Sequence, residues 1–211
     1  PVLYGSPKTA AFHRKTLNLP TNFSMVNGPA EAQSGRLNMI CCYDEEIKID
    51  FGQATEESGK AAMISLQRAM EDYKKGEIDV LVTAPVNKSC MQGADSRFVG
   101  HTEYLEHEVG EGNESLMILM SSIMRVALVT THVPVKEIAS QITQEKIARK
   151  IKIFNQSLKD DFTISIPRVA VLSLNPHCGD NGLLGEEEKE IIVPAIEEMR
   201  EQGIQCFGPF A

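Results

Sequence analysis

The strongest constraint on the fold of this chain is an alternation of helix-periodic stretches with short apolar runs, three of which lead into a histidine-bearing turn or loop. From Thr55 onward Ala62, Leu66, Ala69 and Tyr73 recur at helical spacing. Glu56 and Glu57 stand at the positive end of the helix dipole, and Gly76 closes the run. Residues 78–82 are then apolar and predict a buried strand, followed by Thr83-Ala-Pro-Val-Asn-Lys88 and the helix start Gly100-His-Thr-Glu103. Upstream, Ser6-Pro7 predicts a helix start with Ala10, Ala11 and Leu17 along its turns, and residues 23–26 and 38–42 read as short strands. Downstream, strands are expected at 116–120, 126–129 and 169–174. A helix over 143–159 carries Ile147, Ile151, Phe154 and Leu158 on one face. A last helix over 186–202 contains Pro194, which should kink it. Strand after helix, repeatedly, predicts an α/β protein with a largely parallel sheet.

Composition narrows the function classes. The 211 residues are 42% apolar and 24% charged, as in an ordinary globular protein. The net charge of -8 argues against a nucleic-acid partner, which needs a basic face, but leaves room for a small anionic substrate. No apolar run approaches the roughly 18–20 residues of a membrane span, and no signal-peptide pattern is visible. Five cysteines without framework spacing point to a reduced, cytoplasmic compartment, with Cys41-Cys42 read as buried packing. The opening Pro1-Val-Leu-Tyr-Gly5 reads as the end of a strand, and Gly208-Pro-Phe-Ala211 follows a helix without a natural stop. The expectation is an internal piece of a longer protein.

In open α/β sheets ligands bind beyond the carboxyl ends of strands, and His132 and His177 fall there. Thr-Thr-His132-Val-Pro and Asn-Pro-His177-Cys-Gly-Asp each place an imidazole in a sharp turn after an apolar run. Neutral imidazole suits zinc, cobalt or nickel, whereas a lone histidine at a strand end is more often a hydrogen-bonded filler. Gly100-His101-Thr102-Glu103 offers helix N–H groups, a hydroxyl and a ring to a phosphate or carboxylate, with Lys88 as a nearby positive charge. The competing reading is a plain helix cap. Cys178 has no base positioned for it in the sequence, no dinucleotide or P-loop fingerprint is present, and His13 and His107 read as surface groups.

Taken in order and spacing, Thr83–Lys88, Gly100–Glu103, Thr131-His-Val-Pro134 and Leu174-Asn-Pro-His-Cys-Gly-Asp180 resemble the 4-hydroxythreonine-4-phosphate dehydrogenase family of vitamin B6 biosynthesis. The opening Pro1–Ser6 and Gly185-Glu-Glu-Glu-Lys-Glu190 with Pro194 fit the same family, so the resemblance spans essentially the whole chain. It implies two α/β/α domains with a cleft between them, as in isocitrate and isopropylmalate dehydrogenases, here expected as residues 1–97 and a dimer-forming 98–211, both incomplete. It also implies NAD- or NADP-dependent oxidation of 4-phosphooxy-L-threonine with loss of carbon dioxide, giving 3-amino-2-oxopropyl phosphate. By the same similarity His101 and Thr102 contact substrate. His132 and His177 are two of three histidine ligands to a divalent metal (zinc, cobalt or magnesium), in a site shared across a homodimer. The third histidine, further substrate contacts and much of the nucleotide site are expected beyond Ala211, and a Gly-Asp-Pro-Ala-Gly type motif before Pro1, so the segment alone is expected to be inactive. The family often has a small residue, Gly and Glu after the second histidine; Cys178-Gly179-Asp180 shortens that carboxylate. Two rivals share part of the signal: a paralogue acting on threonate or erythronate 4-phosphate, and a metal-free phosphate acyltransferase of related fold.

Overall fold

The computed structural model describes residues 1–95 and 99–211. They gather into two compact units, Pro1–Ser115 and Leu116–Ala211. The division expected between residues 97 and 98 lies outside the described residues.

The first unit begins with β1 (Val2–Gly5), α1 (Pro7–Thr16), β2 (Phe23–Met25) and β3 (Leu37–Cys41), which form a parallel three-stranded sheet in the order β1-β3-β2. Pro7 at the first helical position fixes the start of α1 without forfeiting a hydrogen bond, since that N–H has no helical partner anyway. The long helix α2 (Glu56–Lys74) starts in a reciprocal capping box, Thr55 accepting from the Ser58 N–H and Ser58 accepting from the Thr55 N–H. Its Met63, Leu66 and Met70 bury against Met91 of α3 (Lys88–Ala94) and Tyr104 of α4 (His101–Val109). Asp72, fully buried on the same helix, accepts from the Tyr4 hydroxyl (2.9 Å) and pairs with Arg68, which ties α2 to β1. Burial and the neighbouring Asp72 carboxylate both push the Tyr4 hydroxyl far above its ordinary pKa.

Three expectations for this unit are corrected. Residues 78–82 form no strand, and Val80 and Val82 are 73% and 88% exposed. A strand needs a neighbour for its N–H and C=O groups, and no described strand pairs with this run. Tyr73 lies on the exposed side of α2 rather than in its buried stripe. Cys41 is exposed and Cys42 half-buried, because the fully covered part of β3 is Asn38–Ile40 and ends before the cysteines.

The second unit contains β4 (Ile118–Met120), β5 (Arg125–Ala127), α5 (Ile138–Gln141), α6 (Gln144–Asp160), β6 (Arg168–Leu172), α7 (Val193–Glu201) and β7 (Gln205–Phe210). β6 and β7 are parallel, as are the pairings of the first unit, and the antiparallel pair β4 and β5 is the exception to the largely parallel arrangement expected. The four-residue link between β4 and β5 is too short for the crossover that parallel strands require. Helix α6 buries Ile147, Ile151, Phe154 and Leu158, the four positions its periodicity names, against Val169, Ile192, Ala195, Ile196 and Met199. The final helix is irregular just ahead of Pro194. A π turn at Glu188–Ile192 comes first, and Pro194 falls in the first turn of α7, where its missing N–H is tolerated. An apolar cavity of about 610 Å³ lies between the 124–130 and 167–174 segments over α6.

Candidate active site

In the first unit, the start of α4 gathers the groups singled out in the sequence. Asn87 caps α3 by accepting from the Cys90 N–H, which sets Lys88 at the head of that helix. Lys88 then reaches Gly100, the N-cap of α4: a Cβ built on Gly100 would stand 3.4 Å from Lys88 Nζ and 2.6 Å from Glu103 Oε2. A side chain at this position would meet the flexible ends of both Lys88 and Glu103, which would have to shift aside. His101 and Thr102 occupy the first two helical positions and are half-buried. Burial, and then the Lys88 charge, hold the His101 pKa below its ordinary value, so the ring is neutral near pH 7. Thr102 sits inside the first turn, not at the cap, which weakens the plain helix-cap reading. The assembly gathers helix N–H groups, a hydroxyl, a neutral imidazole and an ammonium at one helix N-terminus, groups suited to a phosphate or carboxylate, with the Glu103 carboxylate beside them.

In the second unit, His132 and His177 are both exposed, two and three residues beyond Thr130 and Leu174, which line the same apolar cavity. His132 has φ 55°, in the left-handed region that non-glycine residues seldom occupy. After His177 the backbone stays left-handed for five residues, with φ of 54° at Cys178, 73° at Gly179, 43° at Asp180, 55° at Asn181 and 94° at Gly182. Asp180 and Asn181 tolerate this region better than most side chains, but at Cys178 it costs about 1–2 kcal/mol, which the bonds around the turn offset. Asn175 supplies several: Oδ1 accepts from the His177 N–H (2.9 Å), Nδ2 donates to the Leu184 carbonyl (3.2 Å), and its own carbonyl accepts from the Cys178 N–H (2.8 Å). Two exposed imidazoles fit a zinc- or cobalt-type donor set. Among the described residues, however, no group of three His, Cys, Asp or Glu side chains converges as a metal site.

His13 is half-buried, edge-on to the rings of Phe12 and Phe51, and His107 is exposed beside Glu108, so neither joins the site residues. Sequence reasoning missed the Asn87 cap, although Asn followed by a helix-compatible run is its usual signature. It also missed Asn175 as the hub of the His177 turn, for which Asn-Pro offered only a generic turn signal.

Comparison with known proteins identifies the family of the chain. The family model described as pyridoxal phosphate biosynthetic protein PdxA matches residues 1–211. A protein named 4-hydroxythreonine-4-phosphate dehydrogenase from Bacteroides thetaiotaomicron is 57% identical over all 211 residues, which cover 58% of its own length. One of the same name from Sulfurihydrogenibium sp. is 37% identical over 210 residues, covering 64% of that protein. Among solved structures, 4-hydroxythreonine-4-phosphate dehydrogenase from Klebsiella pneumoniae superposes with a TM-score of 0.82 at 29% identity, over 99% of this chain and 65% of that one. The Burkholderia phymatum enzyme of that name gives 0.81 at 31% identity, over 100% of this chain and 64% of that one. These structures bear out the α/β dehydrogenase fold expected from the sequence, and the chain spans about 58–65% of the length of the relatives cited. The chain belongs to the PdxA family of pyridoxal phosphate biosynthetic proteins.

Proposed function

We propose that the full-length protein oxidises the secondary alcohol of 4-phosphooxy-L-threonine, with NAD or NADP as hydride acceptor. The resulting β-keto acid then loses carbon dioxide to give 3-amino-2-oxopropyl phosphate. The observation that carries this reading is the cluster of Lys88, Gly100, His101 and Thr102 at the N-terminus of α4, on a chain that matches its family from end to end. A substrate phosphate or carboxylate meets helix N–H groups, the Thr102 hydroxyl and the Lys88 ammonium there. The neutral His101 ring donates one hydrogen bond without adding a second full charge. His132 and His177 would hold a divalent ion (zinc, cobalt or magnesium), which supplies Lewis acidity toward the substrate hydroxyl when bound. His132 itself has left-handed backbone, and the left-handed run that follows His177 begins at Cys178, so each imidazole stands at a sharp break in the chain. A further ligand completes the set, and we place the working enzyme as a homodimer sharing that metal site. Five free cysteines suit a reducing cytoplasm, and among the described residues no helix is long and apolar enough to cross a membrane.

The test is a substrate panel on the full-length protein, reading reduced nicotinamide. Turnover of 4-phosphooxy-L-threonine well above that of threonate and erythronate 4-phosphates is the expected result. Preference for either sugar-acid phosphate would reassign the substrate, and absence of nicotinamide reduction with all three would remove the dehydrogenase reading.

A further inference from the structure

Glu188 is a carboxylate buried where packing alone gives no reason for one. It is 4% exposed and opens the π turn beside Ile192, at the edge of the apolar core of the second unit. Its Oε1 accepts from the backbone N–H of Asn175 at 2.7 Å, and its Oε2 is buried without a hydrogen-bond partner among the described residues. On the other side of the carboxylate lies Gly179. A Cβ built on Gly179 would stand 3.1 Å from Glu188 Oε2 and 2.7 Å from the Gly185 carbonyl oxygen. Glu188 therefore touches the His177 turn twice, two residues before the imidazole and two residues after it.

Those contacts fall where the backbone is least able to hold itself. Asn175 is the residue whose side chain and carbonyl bind the N–H groups of His177 and Cys178. Gly179 lies within the run of left-handed residues. A charged acceptor on a backbone N–H makes one of the stronger single hydrogen bonds available. The π turn that Glu188 opens is an insertion of the kind frequent at functional sites.

We propose that Glu188 is the positioning residue of the His177 turn: it holds the backbone at Asn175, backs onto Gly179, and so sets where the imidazole stands. The proposal rests on the reading of His177 as a metal ligand. Residues that orient a ligand from behind typically matter to metal affinity by about 10- to 100-fold. Loss of the Glu188 carboxylate lets the turn relax from its left-handed conformation and swings the ring out of the ligand set.

The experiment measures cobalt(II) affinity of the full-length protein by competition with a chelating dye, together with the cobalt absorption spectrum. Wild type is compared with Glu188→Ala, Glu188→Gln, Glu188→Asp, His177→Ala and the core variant Leu158→Ala. The expected result is an affinity about 10-fold or more weaker in Glu188→Ala with an altered spectrum. Glu188→Gln should stay within about 3-fold of wild type, because its amide oxygen still accepts the Asn175 N–H. Leu158→Ala should unfold at lower temperature and bind cobalt as wild type does. Wild-type affinity in Glu188→Ala overturns the proposal, as does an equal loss in Leu158→Ala, which would make the effect one of general stability. If Glu188→Ala does not fold, the remaining pair decides. Weakened binding in Glu188→Asp, whose shorter side chain withdraws from Asn175, with near-normal Glu188→Gln supports the proposal, and wild-type binding in both overturns it. Binding unchanged in His177→Ala fails the ligand reading itself, and the proposal falls with it.

Discussion

The two units hold their candidate site residues by different means. In Pro1–Ser115 the groups sit at the start of a regular helix whose Tyr104 is anchored among Met63, Leu66, Met70 and Met91. In Leu116–Ala211 His132 itself has left-handed backbone, and His177 precedes a run of left-handed residues kept in place by side-chain bonds from Asn175 and Glu188. Position at the first site follows from burying a helix, so it should persist as long as the core does. Position at the second follows from a few polar bonds, so it should fail locally, before the fold does.

Four perturbations break or sharpen that contrast. The largest effect is expected from Asp72→Ala, which strips the buried partner from Tyr4 and Arg68. Removing one member of a buried charged group costs about 3–5 kcal/mol, visible as a lower urea midpoint, while the metal affinity assigned to the other unit should not change. Next, Asn175→Ala removes the acceptor of the His177 N–H and the donor to Leu184. A loss of about 1–3 kcal/mol is expected, with a drop in cobalt affinity out of proportion to it; unchanged affinity would blur the contrast. Thr55→Ala breaks the α2 capping box and should lower stability by about 1 kcal/mol, measured by thermal unfolding, without altering substrate or metal binding.

The smallest expected effect is a pH dependence. Burial and Lys88 hold the folded pKa of His101 below its ordinary 6.5, so the unfolded chain takes up this proton first as pH falls. The stability linked to His101 is therefore fully present above about pH 6.5 and is lost as pH drops from there through the folded pKa. Chemical unfolding of wild type and His101→Asn across that window should diverge, with the variant falling less steeply. A steeper fall in the variant would reverse the sign.

Much of this was legible in the sequence where the information is local. Helix α6 carries its burial in four apolar positions, and the Thr55 and Gly100 helix starts are written in adjacent residues. The two histidine turns showed themselves as polar breaks after apolar runs. What was not legible depends on partners far along the chain. Residues 78–82 have the composition of a strand, but whether they form one is decided by a neighbouring strand, and none of the described strands pairs with them. The antiparallel pairing of β4 and β5 was hidden because two apolar runs look alike in either direction. The bond from Asn175 to Glu188 spans 13 residues, beyond the reach of any cap or turn motif.

The most direct test of the division of labour is to measure metal affinity and substrate KM separately in His101→Ala, His132→Ala and His177→Ala of the full-length protein. The account predicts that His132→Ala and His177→Ala each lose cobalt affinity. His101→Ala should bind cobalt as wild type does and show a raised KM for 4-phosphooxy-L-threonine. Loss of metal in His101→Ala, or retention of wild-type affinity in both other variants, would contradict it.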